Sequence, residues 1–218
     1  MSNKIRIMLV DDHPLVREGL ANLILPEADL QVCGEAANAP EALALAGTVR
    51  PDVAIIDISL ENGSGLELIQ DLKALHPEVT ALVLSMHDES LYAERALRAG
   101  ARGYIMKREA ARKVIQGIRA VRAGQLFVSD KIAARLTEKF VEGGTAAAPS
   151  PLEQLSNREL EVFQLLGQGR NTRQIAEHLH VGFKTVQAYC ARIKDKLNLA
   201  NATELLREAV RWSESNVL

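Results

Sequence analysis

The sequence predicts an α/β fold, a five-stranded doubly wound parallel sheet, followed by a second, all-α domain of four helices built around a helix-turn-helix. Three observations carry this. Short β-rich apolar runs alternate with segments of helical spacing through the first half of the chain. A small, proline-punctuated stretch, EGGTAAAPSPLE from Glu142 to Glu153, then interrupts the pattern. Beyond it the apolar pattern is helical, and the total of 218 residues suits two domains of ordinary size.

The first part yields its elements in order. The runs IRIMLV (5–10), LQVCGEA (30–36), VAIID (53–57), VTALVLS (79–85) and GYIMK (103–107) read as strands. Between them Val16, Leu20 and Leu23, then Leu68, Leu72 and Leu75, then Val114, Ile118 and Val121 recur at i, i+4, i+7, the spacing of one helix face. Strands alternating with helices make a parallel sheet covered on both faces. In the second part Ser156 with Glu159 three residues on is a capping box, and Leu160, Phe163 and Leu166 supply an apolar face. Gly167 and Gly169 end that helix. A short helix with Ile175, Ala176 and Leu179 follows; HVG is a tight turn, and Gly182 can take positive φ. Helices over about 183–197 and about 202–212 complete the set.

Composition narrows the function classes. Hydrophobic residues at 47% and charged residues at 25% support packed cores and exclude wholesale disorder, and aromatics at 4% make those cores aliphatic. The net charge of −2 confines any basic surface to a local patch. Residues 1–122 carry 14 basic and 17 acidic side chains, whereas 151–218 carry 9 and 8, so the acidity belongs to the first part. Cys33 and Cys190 stand far apart and form no CxxC, which excludes a disulfide scaffold or a zinc module. The start, MSNKIRIMLVDD, reaches acids too soon for a signal peptide, and no uncharged apolar run approaches spanning length. A cytoplasmic protein without membrane contact is expected.

In such sheets ligands bind beyond the carboxyl ends of the strands. There the first strand ends in Asp11 and Asp12, the third in Asp57, the fourth in Ser85 and the fifth in Lys107. Three gathered carboxylates repel one another unless a cation joins them, and oxygen ligands of this kind suit Mg²⁺. A lysine and a hydroxyl beside them suit phosphoryl oxygens. A carboxylate nucleophile forming an aspartyl phosphate is the chemistry this set permits. A haloacid-dehalogenase-type phosphatase needs a second acid two residues after its nucleophile, where this chain has Ser59, and neither GxxxxGK[ST] nor GxGxxG occurs. The protein is therefore not expected to be an enzyme.

DDHPLVREGL, DISLENGSGLELI, LVLSMHDE and AGARGYIMK together resemble the receiver domain of two-component response regulators, over roughly residues 4–123. The resemblance implies a flavodoxin-like fold and makes Asp57 the acceptor of a phosphoryl group from a histidine kinase. It makes Asp11, Asp12, Asp57 and the backbone carbonyl of Ser59 the Mg²⁺ ligands. Ser85 corresponds to the residue that bonds the phosphoryl group, Tyr104 to the aromatic that turns inward with it, and Lys107 to the lysine that pairs with it. Glu61 and Arg108 stand where many receivers have proline.

In the third helix of the second part, Val186, Tyr189, Cys190, Ile193 and Leu197 share one side. The opposite side shows Lys184, Gln187, Ala188, Ala191 and Arg192, with Lys194 and Lys196 near the end. Four basic residues against Asp195 give this helix a charge of +3. Small residues and an amide allow close approach to base edges, and cations suit phosphates. The stretch from Leu152 to Trp212 resembles the LuxR-type DNA-binding domain, and the whole architecture resembles the NarL/FixJ subclass of response regulators. That resemblance implies that Lys184, Thr185, Gln187, Ala188 and Ala191, with Arg192, face double-stranded DNA. Gly182, Gln187 and Tyr189 depart from the serine, lysine and histidine frequent in this subclass.

The domains are expected at 1–123 (receiver), 124–151 (connecting helix and flexible linker) and 152–218 (helix-turn-helix). The expected function is a transcription factor switched by phosphorylation of Asp57 and forming a homodimer when phosphorylated. The alternative is a DNA-binding regulator independent of phosphorylation, controlled by a partner or by concentration. Leu205, Leu206, Ala209 and Trp212 of the last helix offer either a dimer contact or packing within the domain.

Overall fold

The computed structural model describes residues 4–60, 63–109, 111–141 and 151–215. The chain divides into two compact units, Met1–Glu138 and Lys139–Leu218. In the first unit β1 (Ile5–Val10), β2 (Leu30–Ala36), β3 (Val53–Ile56), β6 (Thr80–Ser85) and β7 (Gly103–Met106) form one sheet in the order β2-β1-β3-β6-β7, and every neighbouring pair is parallel. The expected five-stranded parallel sheet is borne out. The central strands are apolar throughout because both faces are covered: Ile7, Leu9, Val53, Ile55, Leu82 and Leu84 are all buried.

Helices α1 (Pro14–Ile24), α2 (Ala39–Val49), α3 (Gly65–Leu75), α4 (Glu89–Ala99) and α5 (Ala111–Arg122) alternate with the strands. Asn38, Ser64 and Asp88 cap α2, α3 and α4 by accepting the backbone N–H of Glu41, Leu66 and Ser90. In α3 the stripe ends earlier than its spacing predicts: Leu68 and Leu72 are buried, but Leu75 is 65% exposed because it lies in the final turn. A small antiparallel ribbon, β4 (Ser59–Leu60) with β5 (Gly63–Ser64), follows β3 and has no counterpart in the sequence reading.

The first unit continues past residue 123. The Phe127 carbonyl accepts the Tyr104 N–H at 2.9 Å and the Phe127 N–H donates to Arg102 at 2.9 Å, adding one rung to the free edge of β7. Helix α6 (Asp130–Val141) buries Ile132, and the Arg135 guanidinium donates to the Ser90 carbonyl on α4 at 2.7 Å. Residues 124–138 therefore pack as part of this unit. The linker expected from Glu142 lies outside the described residues up to Ser150.

The second unit has a 3₁₀ turn at Pro151–Gln154, then α7 (Asn157–Gly167), α8 (Thr172–His178), α9 (Phe183–Leu197) and α10 (Ala202–Ser215). Both halves of the Ser156–Glu159 capping box form, and Asn171 with Gln174 makes a second one at α8. In the turn before α9 the left-handed residue is His180, at φ 51°; Gly182 has φ −68° and serves as the extended N-cap of α9. The positive φ that Gly182 allows is thus taken two residues earlier, because the cap position needs extended backbone. Leu160, Phe163, Ile175, Val186, Ile193, Leu205 and Ala209 build the core. Among the described residues no helix is long and apolar enough to cross a membrane.

Candidate functional site: an acidic cluster and a helical nucleic-acid face

The parallel sheet gathers at one edge the residues that end its strands. Asp11 follows β1, Asp57 follows β3 and Lys107 follows β7, and the Lys107 ammonium lies 2.6 Å from both Asp11 Oδ2 and Asp57 Oδ2. Asp11 and Asp57 are 3% and 5% exposed and Ser85 is fully buried, while Asp12 is half-buried. Burial pushes the Asp57 carboxyl above its ordinary value; Lys107 pulls it down and Asp11 pushes it up again, and the net shift is upward. Burial acts against the charged form of Lys107, but the two carboxylates outweigh it and raise its pKa. One ammonium thus leaves Asp57 short of full compensation, and Asp57 Oδ1 is buried with no hydrogen-bond partner among the described residues. An oxygen-rich site with an orphaned carboxylate oxygen fits a second, hard cation. Asp11, Asp12 and His13 also bring ligand atoms within 4.8 Å of one another, and His13 Nδ1 stands 2.6 Å from Asp12 Oδ1.

The loop after β3 and the β6–α4 loop meet at a residue the sequence reading missed. His87 Nε2 lies 2.6 Å from Ser59 Oγ, the His87 N–H donates to Ser85 Oγ at 3.2 Å, and its carbonyl accepts the Tyr104 hydroxyl at 2.8 Å. Its ring stacks on Tyr92 with centroids 4.5 Å apart. Tyr104 is 3% exposed, and burial holds its phenol well above the ordinary value. The ring is therefore buried inward, with its hydroxyl on the His87 carbonyl. Arg17 was missed as well: it donates to the Asp11 carbonyl at 2.6 Å and pairs with Glu35 at 3.3 Å. Neither residue sits at a strand end, the only place the spacing argument looks.

In the second unit α9 separates its faces as expected. Val186 and Ile193 are fully buried and Tyr189, Cys190 and Leu197 half-buried, whereas Lys184, Thr185, Gln187, Ala188 and Ala191 are exposed. Phe183, 44% exposed, joins this face at four residues before Gln187 and eight before Ala191. Arg192 is exposed as well, its side chain at 54%, but it also pairs within the unit. Its Nε lies 3.4 Å from Glu159 Oε1 and its guanidinium carbon 4.9 Å from the centre of the Tyr189 ring. In α10, Leu205 and Ala209 are buried within the unit and Trp212 packs on Phe163 at 6.2 Å between centroids, so of the four residues open to a dimer contact Leu206 alone is strongly exposed, at 45%.

Glu159 is 3% exposed, and its Oε2 accepts from Lys196 at 2.6 Å and from the Ser156 N–H at 2.7 Å. Burial pushes its carboxyl up, but Lys196 and Ser156 outweigh burial and hold it below its ordinary value of 4.5. A carboxyl depressed in the folded state contributes stability that is complete above its unfolded pKa and is lost as pH falls through the folded one. The midpoint of thermal unfolding of this unit is therefore expected to fall as pH drops below about 4.5, and to fall less in Glu159→Gln. Parallel pH profiles for the two proteins would contradict this.

Comparison with known proteins agrees with both halves of this geometry. Residues 7–119 match the family of response regulator receiver domains, and residues 153–209 match the luxR family of bacterial regulatory proteins. The chain is 34% identical to the DNA-binding transcriptional activator DevR/DosR of Mycobacterium tuberculosis over 200 residues, covering 92% of this chain and 91% of that one. It is 35% identical to the oxygen regulatory protein NreC of Staphylococcus epidermidis over 211 residues, covering 94% and 97%. Among solved structures, a LuxR-family two-component response regulator from an Aurantimonas species aligns with TM-score 0.59 at 37% identity, over 64% of this chain and 99% of its own. The RcsB response regulator of Salmonella typhimurium shares the fold across 96% of this chain and 98% of its own, with TM-score 0.68 at 24% identity. The buried Asp11–Lys107–Asp57 cluster and the capped helix-turn-helix of this chain thus occur together in a protein that matches both family models and aligns along its length with such relatives, and the protein belongs to the NarL-type response regulators, two-component transcription factors and not enzymes, which join a receiver domain to a LuxR-type DNA-binding domain.

Proposed function

We propose that Asp57 accepts a phosphoryl group from a histidine kinase and that this event controls binding of double-stranded DNA by α9, in the cytoplasm. The observation that supports it most is the orphaned Oδ1 of Asp57 beside Lys107 and Asp11. A carboxylate oxygen of Asp57 attacks phosphorus, the bond from phosphorus to the kinase imidazole nitrogen breaks, and the imidazole leaves neutral on taking a proton. Asp11, Asp12, Asp57 and the Ser59 carbonyl would hold Mg²⁺, which when bound neutralises charge on the phosphoryl oxygens. Lys107 is placed to exchange its Asp57 carboxylate for a phosphoryl oxygen. Ser85 would turn its hydroxyl from the His87 N–H to the phosphoryl group, which alters the His87 carbonyl that holds Tyr104 and the loop that starts α4. Mass measurement after incubation with acetyl phosphate and Mg²⁺ tests the chemistry: one added phosphoryl group supports it, and an unchanged mass sinks it.

On the DNA side Lys184 meets a phosphate, while Thr185, Gln187, Ala188 and Ala191 approach base edges in the major groove. Gln187 suits an adenine, and Ala188 a thymine methyl. A phosphorylated homodimer would bind half-sites about one helical turn apart. Lys184→Ala is expected to weaken binding on all sequences and to reduce the slope of log affinity against log salt by about 0.9. A titration with an unchanged slope would show that Lys184 meets no phosphate.

A further inference from the structure

We propose that Glu159 tunes the specificity of DNA binding by pairing with Arg192 and Lys196, two of the four cations of α9, whose side chains stay 54% and 38% exposed while the carboxylate that neutralises them is buried. This rests on the reading of α9 as the DNA-facing helix. Arg192 follows Ala188 by four residues and Ala191 by one, so its backbone stands on the same exposed side. Its guanidinium is nonetheless drawn back, to Glu159 Oε1 at 3.4 Å and over the Tyr189 ring at 4.9 Å. Lys196 lies a further turn on and is held by Oε2 of the same carboxylate at 2.6 Å. That carboxylate is 3% exposed and fixed by the capping box of α7, so it does not swing out with its partners. The two cations cannot both leave Glu159 without stranding a buried charge, a cost that free surface lysines do not face.

Attraction of cations to phosphates is independent of sequence and governs non-specific binding, whereas base-edge contacts discriminate. With Arg192 and Lys196 paired to Glu159, the uncompensated charge that α9 offers to phosphates is carried by Lys184 and Lys194. Discrimination then falls to the small and amide side chains Gln187, Ala188 and Ala191. Glu159 also ties the start of α7 to the second half of α9, which fixes the angle at which those side chains are offered. It acts through other residues and touches no DNA itself, so it is a positioning residue.

Glu159→Gln is the informative variant, because glutamine also completes a capping box while losing the charge. Full-length protein is titrated with a random-sequence duplex and with a duplex selected by the protein itself, from about 50 to about 200 mM salt. Over that range the variant is expected to lose more affinity for the random duplex than the parent, by about 3.5-fold for one freed cation and about 12-fold for two. Its preference for the selected duplex at low salt falls. Adding Arg192→Ala and Lys196→Ala to the variant restores the parent slope. A folded Glu159→Gln protein with the parent's slope overturns the proposal. Arg192→Ala alone keeps the argument open to refutation if Glu159→Gln folds poorly: an unchanged slope supports the proposal, and a slope shallower by about 0.9 overturns it. A parent protein that binds neither duplex would overturn the DNA-binding reading beneath it as well.

Discussion

Asp57→Asn is expected to reduce labelling from acetyl phosphate to background and to erase any effect of beryllofluoride on DNA retention. The amide lacks the anionic oxygen that attacks phosphorus, yet it keeps the volume of the buried side chain. Lys107 retains Asp11 as a partner at 2.6 Å, so the cluster does not leave its cation unpaired. Because burial already raises the Asp57 carboxyl, removing its charge carries little loss of stability, and the variant should unfold close to the parent temperature. Phosphoryl incorporation by the folded variant would place the nucleophile elsewhere, with Asp11 and Asp12 the nearest carboxylates.

Gly65→Ala should produce the largest structural effect of any single methyl group near the site. Gly65 opens α3 and donates its N–H to the Ile58 carbonyl at 2.8 Å. A Cβ there would overlap the backbone carbonyl oxygen of Asp57 and stand 2.9 Å from the Ile58 Cα. Those are backbone atoms, so no side-chain rotation relieves the clash, and the loop carrying Asp57 must shift. A destabilisation of about 3 kcal/mol is expected from overpacking of this kind, together with impaired phosphoryl acceptance. Denaturant unfolding combined with acetyl phosphate labelling checks both, and a variant matching the parent in the two assays would show that the approach of α3 to the acceptor loop is not tight.

The uneven legibility of the sequence follows from residue size. Helices α1, α3 and α5 announce themselves through Leu20, Leu72 and Ile118, large residues whose spacing is unambiguous. Helix α2 buries Ala42 and Ala46, and α4 buries Ala93, Ala96 and Ala99. Alanine marks a close approach to the sheet but carries no hydrophobic period against an alanine-rich background, so spacing alone passes over both helices. Their caps, Asn38 and Asp88, were the available signal. At the acidic edge the strand ends fix the positions of Asp11, Asp57, Ser85 and Lys107, because a parallel sheet brings carboxyl ends together whatever the loops do. The contacts of His87 with Ser59 and of Glu159 with α9 were invisible for the opposite reason: one crosses between loops and the other crosses the domain, and such contacts depend on tertiary packing that spacing does not encode. The capping box did disclose Glu159, but only in its local role.

The proposed function turns on control by Asp57 of how the second domain meets DNA. Sequencing the genomic fragments retained by purified protein, with Mg²⁺ alone and with beryllofluoride added, tests it most directly. Paired half-sites are expected to be enriched only when beryllofluoride is present, with no enrichment by Asp57→Asn in either condition. Equal enrichment of the same fragments with and without beryllofluoride would contradict it and place control of DNA binding in a partner or in protein concentration.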